Sequence, residues 1–443
     1  MCFSWHSAWQ MPLYELRARP KFHSSSRLKG ILRPLRMSQS DHEIPQHFYS
    51  LDVLRGVAAL VVVLWHWQIF FFSGTQSNSV MLENLPLSAS FSLFYTNGWL
   101  AVDLFFSLSG FVFYWLYSHG VVEGKISPWE FVVLRFSRLY PLHLATLFIV
   151  SAGQFWFLST TGEFYAHPFN DGKHFLLNLM FASGWGFEQG HSFNAPIWSV
   201  SIEVLLYAMF FASCRLLPIR FMTLFAFASI GFLVISRYAG SIGRGMGCFF
   251  IGGCIFLIYQ QIVTSGKWNV RRCSKWVSCL TITAWIPTIL DAKLDLNIFS
   301  LSLHSTPFII WRSNPYFSWI AQEVVSHWPT LIVFPLTILS LTLLETTRGT
   351  LGKRCSFLGN ISYSSYLLHF PLQLVTVALV TQLNISRSTF YSPWFMILFF
   401  GCLLLVSLFS YHYFEVPIQR FIRRKGLTIS STECARPNGK LRR

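Results

Sequence analysis

The sequence predicts an all-α, polytopic membrane helix bundle of about ten transmembrane helices. Three observations lead there. Hydrophobic residues make up 53% of the 443-residue chain and charged residues only 12%, where a soluble domain carries about 25% charged residues. Apolar runs near 20 residues, the length that crosses a hydrocarbon core of ~30 Å, recur along the chain. The 45 Phe, 17 Trp and 16 Tyr suit lipid-facing helices with aromatic belts at both interfaces. The net charge of +16 does not mark a nucleic-acid partner. The basic residues lie between apolar runs instead of forming one soluble patch, so the expected partner is a lipid bilayer.

Ten spans are expected, in the order 51–72, 98–118, 139–158, 196–217, 220–238, 243–264, 275–291, 325–345, 357–382 and 393–416. The seventh is the shortest and contains Pro287. Of the 34 Lys and Arg, 27 fall in segments on one side of this arrangement and 6 in the opposite loops. Basic residues accumulate on the cytoplasmic side, so both termini are expected there, which requires an even number of spans. Residues 1–48 are basic and rich in His and Ser, without the compact apolar core of a signal peptide. They are expected to be a disordered extension, with Met37 a candidate start. The transmembrane domain is expected over 49–420 and a basic cytoplasmic tail over 421–443. No fixed-period repeat and no inverted pair of broken helices is visible, features that would announce a transporter. The nine cysteines include no C-x-x-C pair. They read as small apolar fillers or free thiols, and no metal is expected.

Against this apolar background the ionisable residues stand out. The first span reads S-L-D-V-L-R-G-V-A-A-L-V-V-V-L-W-H-W-Q-I-F-F-F over 50–72. Ionisable groups inside a span are costly and usually face a protein interior on a substrate or ion path. Eleven residues of helix rise ~16 Å, so Arg55 offers a fixed cation at one membrane face and His66 a titratable base at depth. In the second span, Asp103 lies near the outer face and Ser109-Gly110 near the middle, where a small pair also suits close helix packing.

The fourth span opens N-A-P-I-W-S-V-S-I-E-V-L-L-Y over 194–207, carrying Trp198, Glu203 and Tyr207. Counted along the helices, Glu203 lies ~10 Å and His66 ~9 Å below the outer surface. A buried carboxylate needs a partner. Glu203 is therefore expected to pair with His66 and orient its imidazole. A purely structural clip between two helices is the other reading. His369, in S-Y-S-S-Y-L-L-H-F-P-L over 362–372, falls at a similar depth. Asp103, Trp198, Tyr207 and His369 are read as acceptor-side or structural support. At the cytoplasmic face, Arg135 and Arg138 share a helix face. With Arg55 they make three guanidinium groups, a set that suits phosphate oxygens. Membrane anchoring on lipid headgroups is the alternative.

The ordered motifs L-D-V-L-R-G…H, G-W-L-A-V-D-L-F-F-S-L-S-G-F, R-F-S-R-L-Y-P, W-S-V-S-I-E-V-L-L-Y and L-G-N-I-S-Y-S-S-Y-L-L-H-F-P-L resemble the acyltransferase 3 family. Its members are integral-membrane enzymes that O-acylate bacterial surface and extracellular carbohydrates, some acting on other small molecules. The resemblance runs from about Leu51 to Arg420. The family's arginine, ten intervening residues, then histidine corresponds to Arg55 and His66. Its R-x-x-R corresponds to Arg135 and Arg138. Its W-S-L-x-x-E corresponds to Trp198, Ser199 and Glu203, with valine where leucine is usual. Its terminal E-x-P corresponds to Glu415 and Pro417. The fused extracytoplasmic esterase-like domain of many members has no counterpart in this sequence.

The resemblance implies a multi-pass protein of the bacterial inner membrane that uses acyl-CoA, with acetyl-CoA the expected form, as donor substrate and no bound cofactor. The acceptor would be a carbohydrate or a lipid-linked hydroxyl compound. Coenzyme phosphates would rest on Arg55, Arg135 and Arg138. His66, oriented by Glu203, would be general base for the acceptor hydroxyl. Ser109, or the backbone N–H by Gly110, would stabilise the oxyanion. Direct transfer and an acyl-enzyme on His66 or a serine both stay open. The rival reading is a saccharide or anion transporter with His66 and Glu203 as a proton relay. A requirement for a cleavable acyl donor separates the two.

The charge asymmetry generates a topology test. Reporter fusions near Thr75 and Ser392 are expected to read as outside, and fusions near Lys267 and Arg423 as inside. An outside reading at Lys267 places an error in the middle of the chain, at the short seventh span.

Overall fold

The computed structural model describes residues 44–76, 80–294 and 327–434. Most of the expected N-terminal extension, with Met37, lies outside the described residues, as do most of the 291–328 loop and the end of the basic tail. Regular structure among the described residues is helical, apart from one isolated bridge between Ser73 and Gln76.

Ten principal helices follow one another. They are α1 (Tyr49–Phe71), α2 (Leu100–Val122), α3 (Pro128–Thr161), α4 (Ile197–Leu216), α5 (Phe221–Tyr238), α6 (Gly240–Thr264), α7 (Val270–Leu294), α8 (Pro329–Arg348), α9 (Ser362–Gln382) and α10 (Pro393–Leu427). Nine of them, all but α7, are long and apolar enough to cross a membrane. Helix α7 occupies the expected seventh span and runs through Pro287. Its polar content has a structural use. A ladder of side chains ties it to α8, with Ser278 to Ser340 at 2.9 Å, Thr281 to the Leu336 carbonyl at 3.1 Å and Trp285 Nε1 to Thr337 at 3.0 Å.

Local chemistry sets the helix ends and irregularities. Helix α3 starts with Pro128 in its first turn and a capping box, Ser127 accepting from the Glu130 N–H while Glu130 accepts from the Ser127 N–H, which satisfies two orphan donors at once. The helix extends 34 residues, ~51 Å at 1.5 Å per residue. It thus starts ahead of the span expected from 139, and Arg135 and Arg138 lie in its first half. Three π-helical stretches lie in the apolar helices, Gly231–Ile235 in α5, Pro329–Val333 at the start of α8 and Ser410–Glu415 in α10. The last six residues of α1, His66–Phe71, tighten into a 3-10 helix.

Helices α2 and α6 approach backbone to backbone. A Cβ on Gly110 would stand 1.8 Å from the Phe249 carbonyl oxygen, and one on Gly252 would stand 2.0 Å from that of Ser107. Neither position admits a side chain, the small-residue packing typical of membrane helices. Near the N-terminal ends of these helices, Asp103 forms an ion pair with Arg244 Nε at 2.9 Å and accepts a hydrogen bond from Thr330 at 3.0 Å. Its side chain is fully buried, so α2, α6 and α8 meet at one neutralised carboxylate.

Removing one partner of a buried ion pair strands the other charge. Arg244→Ala is expected to lower stability by ~3 kcal/mol, read as a fall in the thermal unfolding midpoint in detergent. Adding Asp103→Asn is expected to recover part of the loss. Equal midpoints for wild type and Arg244→Ala contradict the assignment.

Candidate active site

The site begins where α1 begins. The first turn of any helix presents N–H groups without helical partners. Here Glu345 of α8, fully buried, accepts from the N–H groups of Tyr49 at 3.0 Å and Ser50 at 2.9 Å. A carboxylate at this end also complements the helix dipole. One turn on, Asp52 accepts from Arg55 Nη2 and from His47 Nε2, each at 2.7 Å. Arg55 Nη2 also donates to the Gly359 carbonyl at 3.1 Å. That contact needs a close approach. A Cβ on Gly359 would stand 2.5 Å from the Asp52 carbonyl oxygen.

Arg55 faces a cavity bounded by α1, α2, α3, α4 and α9. The cavity brings together the cationic groups Arg55 and Arg138, with His47 and Asp52, and a hydroxyl-rich set, Ser109, Ser199, Glu203, Tyr207 and Tyr366. Arg138 Nη1 is buried and finds no hydrogen-bond partner among the described residues. Its guanidinium lies 5.8 Å from the Tyr363 ring centre, which fixes it without saturating it. A cation held this way has donors to give to an anionic ligand.

Within the cavity, Glu203 accepts two hydrogen bonds on one carboxylate oxygen, from Ser109 Oγ at 2.6 Å and from Tyr207 at 2.7 Å. The hydroxyls of Ser199 and Tyr366 lie 2.6 Å apart, and Tyr366 also donates to the Pro196 carbonyl at 3.0 Å. Trp198, on the same turn, packs beside the core. Gly110 sits in the uninterrupted α2 helix, where its N–H belongs to the helical ladder. It is therefore not an oxyanion donor, which corrects that part of the expectation.

His66 is not among the residues lining this cavity, and its expected pairing with Glu203 is not what forms. Its partner is His369. Nδ1 of His66 and Nε2 of His369 are 3.1 Å apart, and the rings stack with centres 4.9 Å apart. His369 Nδ1 lies 2.6 Å from the Tyr366 carbonyl, an acceptor, so that nitrogen carries the proton. In neutral His369, Nε2 then accepts from His66 Nδ1–H, and His66 Nε2 keeps its lone pair. Gln373 also donates to the His66 carbonyl at 2.9 Å. The orienting role expected of Glu203 is thus geometrically available to fully buried His369.

Arg135 is the second correction. It does not join Arg55 and Arg138 in the cavity. It hydrogen-bonds the Tyr117 hydroxyl and lies 4.5 Å from the Tyr117 and 4.8 Å from the Phe113 ring centres. It borders a separate apolar cavity between α3 and α4, lined also by Phe131, Phe136 and Ala208. Asp103 is engaged with Arg244, so it acts on packing. Residues that sequence reasoning missed are His47, Glu345, Arg244 and a histidine pair in the 162–196 loop. His167 and His191, with ring centres 5.8 Å apart, are the next electrostatic neighbours of His66 after His369. Burial, reinforced by His191, lowers His167 to about 3, and burial also lowers His191. Both loop imidazoles are therefore neutral near pH 7. No spacing in the sequence distinguishes such loop histidines from solvated ones. Among the described residues, no group of three or more His, Cys, Asp or Glu is placed to hold a metal ion.

Comparisons with known proteins bear on this arrangement. "Protein 2 in picA locus" of Rhizobium radiobacter is 40% identical over 116 residues, 26% of this chain and 49% of that protein, so the match spans about half of that relative. A protein of Komagataeibacter xylinus whose name calls it a membrane-bound transacylase is 26% identical over 338 residues, 73% of this chain and 72% of its own. Acyltransferase MdmB of Streptomyces mycarofaciens is 27% identical over 345 residues, 72% of this chain and 78% of its own. No solved structure matches. The model of the acyltransferase 3 family, described as an acyltransferase domain, matches residues 48–412, from the residue before α1 into α10. With Arg55, His66, Ser109, Arg138, Glu203 and His369 inside that stretch, the chain belongs to the acyltransferase 3 family of membrane acyltransferases.

Proposed function

We propose that this enzyme moves an acyl group, acetyl in the expected case, from acyl-CoA to a hydroxyl of a saccharide or other extracytoplasmic acceptor across a bacterial inner membrane. The observation that carries the reading is the pairing of Arg55 and Arg138 in one cavity with Ser109 and Glu203. A coenzyme A thioester has phosphates at one end and an electrophilic carbonyl at the other, joined by a thin arm. The two guanidinium groups suit the phosphates, and the hydroxyl-rich wall suits the thioester. The names of two relatives, a transacylase and an acyltransferase, agree with the reaction class.

On the acceptor side, His66 supplies the base. Its Nε2 lone pair is set by the His66–His369–Tyr366 carbonyl chain, the tautomer logic of a catalytic dyad. The acceptor hydroxyl gives its proton to that nitrogen as its oxygen attacks the acyl carbon. The thioester provides the driving force. Tyr207, which hydrogen-bonds to Glu203, is the hydroxyl offered to the carbonyl oxygen as it develops charge. The family assignment speaks against the transporter reading.

Two outcomes check the assignment of ends. Arg138→Ala and Arg55→Ala are expected to weaken acyl-CoA binding to detergent-purified protein by about tenfold or more each, as loss of a charge-assisted contact of ~1.5–3 kcal/mol implies, with Arg55→Lys restoring only part. Unchanged donor affinity in both alanine variants contradicts the donor site. His66→Ala is expected to leave donor affinity unchanged and to abolish O-acylation of the acceptor glycan, read by mass spectrometry in complemented cells. His369→Ala is expected to reduce transfer by ~10²-fold or more, in keeping with a general base left without its orienting partner. Wild-type acylation in His66→Ala sinks the base.

A further inference from the structure

We propose that Ser109 is the nucleophile of a covalent acyl-enzyme, with Glu203 as the base that activates it. The inference rests on the donor-site reading above and adds the step that empties that site.

The first observation is the hydrogen bond itself. Ser109 Oγ donates to Glu203 at 2.6 Å, so the hydroxyl proton already points at a carboxylate while the oxygen lone pairs remain for attack. The pair matches nucleophile-and-base geometry within hydrogen-bond reach, with the base oriented by a third group. The third group here is Tyr207, which donates to the same carboxylate oxygen at 2.7 Å.

The second observation is location. Ser109 and Glu203 line the cavity that holds Arg55 and Arg138, and His66 does not. Between them stands Tyr366, which lines the cavity on one side and whose ring centre is 6.0 Å from that of His369 on the other. The ring of Phe105, also lining the cavity, lies 5.9 Å from that of Tyr366. The nucleophile, its base and two cations suited to the donor therefore line one cavity, so an acyl group left on Ser109 stays where the thioester is bound.

The third observation is rigidity. Ser109 is followed by Gly110, whose Cα is pressed against the Phe249 carbonyl of α6. The backbone contact fixes α2 along and around its axis at this point, and with it the Ser109 side chain. A buried carboxylate does need donors for its own sake, and two hydroxyls would serve. That need alone does not place the pair in the donor cavity.

The chemistry balances without another reactant. Ser109 Oγ attacks the thioester carbonyl and its proton passes to Glu203. The carbon–sulfur bond breaks, and the departing thiolate takes that proton, giving free coenzyme A and an ester on Ser109. An acceptor hydroxyl then attacks the ester. The proton it loses is the one the Ser109 oxygen regains, and the enzyme is restored.

The test uses the full chain in detergent or nanodiscs with radiolabelled acetyl-CoA and no acceptor. Wild type is expected to release about one equivalent of coenzyme A in a burst and to show one acetyl group on the peptide containing Ser109 by mass spectrometry. Ser109→Ala and Glu203→Gln are expected to bind the donor with affinity within a few-fold of wild type and to lose the burst by ~10²-fold or more. Ser109→Thr, which keeps a hydroxyl, is expected to retain part. Acyl transfer to acceptor by Ser109→Ala at the wild-type rate overturns the proposal, as does a label on another residue that persists in that variant. If wild type itself does not bind the donor, the donor-site reading fails first. If it binds and transfers while Ser109 is dispensable, only the covalent step fails.

Discussion

One carboxylate on α8 holds the start of α1 in place, and much of the site hangs from it. Glu345 accepts from the first N–H groups of the helix, in a setting where no water is at hand to replace it. The register it sets puts Asp52 beside both His47 and Arg55, and lets Arg55 reach the Gly359 carbonyl. At the other end of the same helix His66 meets His369. Cation, carboxylate and base share a rigid rod, so a change at Glu345 is felt at both ends without touching either.

The sequence displayed elements better than partners. The order and rough position of the spans can be read by counting, because rise per residue is constant, whereas the start of α3 at Pro128 lies ahead of the expected 139. Counting gives position along an axis and says little about direction around it. Counting puts Glu203 and His66 at matched depth, yet Glu203 turns to Ser109 on α2 and His66 turns to α9. Arg135 and Arg138, three residues apart, diverge for the same reason, one into an aromatic nest and the other into the cavity. Glu345, Arg244 and His47 carried no motif at all. Their significance lies in partners 295, 141 and 5 residues away, and only the last distance is local.

The bundle treats polarity consistently. Asp103 has Arg244 and Thr330, Asp52 has Arg55 and His47, Glu415 accepts from Ser364 and from Ser410 at 3.0 Å, and the hydroxyls of α7 face those of α8. In an apolar slab each unsatisfied group would be expensive. Other buried polar atoms also lack hydrogen-bond partners among the described residues, Ser107 Oγ, His143 Nδ1 and Glu415 Oε2 among them. The uncommitted Nη1 of Arg138 differs from these in belonging to a residue that lines the cavity.

The aromatic pair Phe105 and Tyr366 has a consequence beyond catalysis. A protein that exposes polar cavities toward both faces of a membrane is one open passage away from being a pore. A continuous line of wet, titratable side chains through such a protein would conduct protons and dissipate an ion gradient. The two rings, 5.9 Å apart, interrupt that line with apolar surface, and the Tyr366 hydroxyl is committed to Ser199 and the Pro196 carbonyl. Tyr366 thus lines the Glu203 cavity while its ring centre lies 6.0 Å from that of His369, so aromatic surface lies next to both titratable groups.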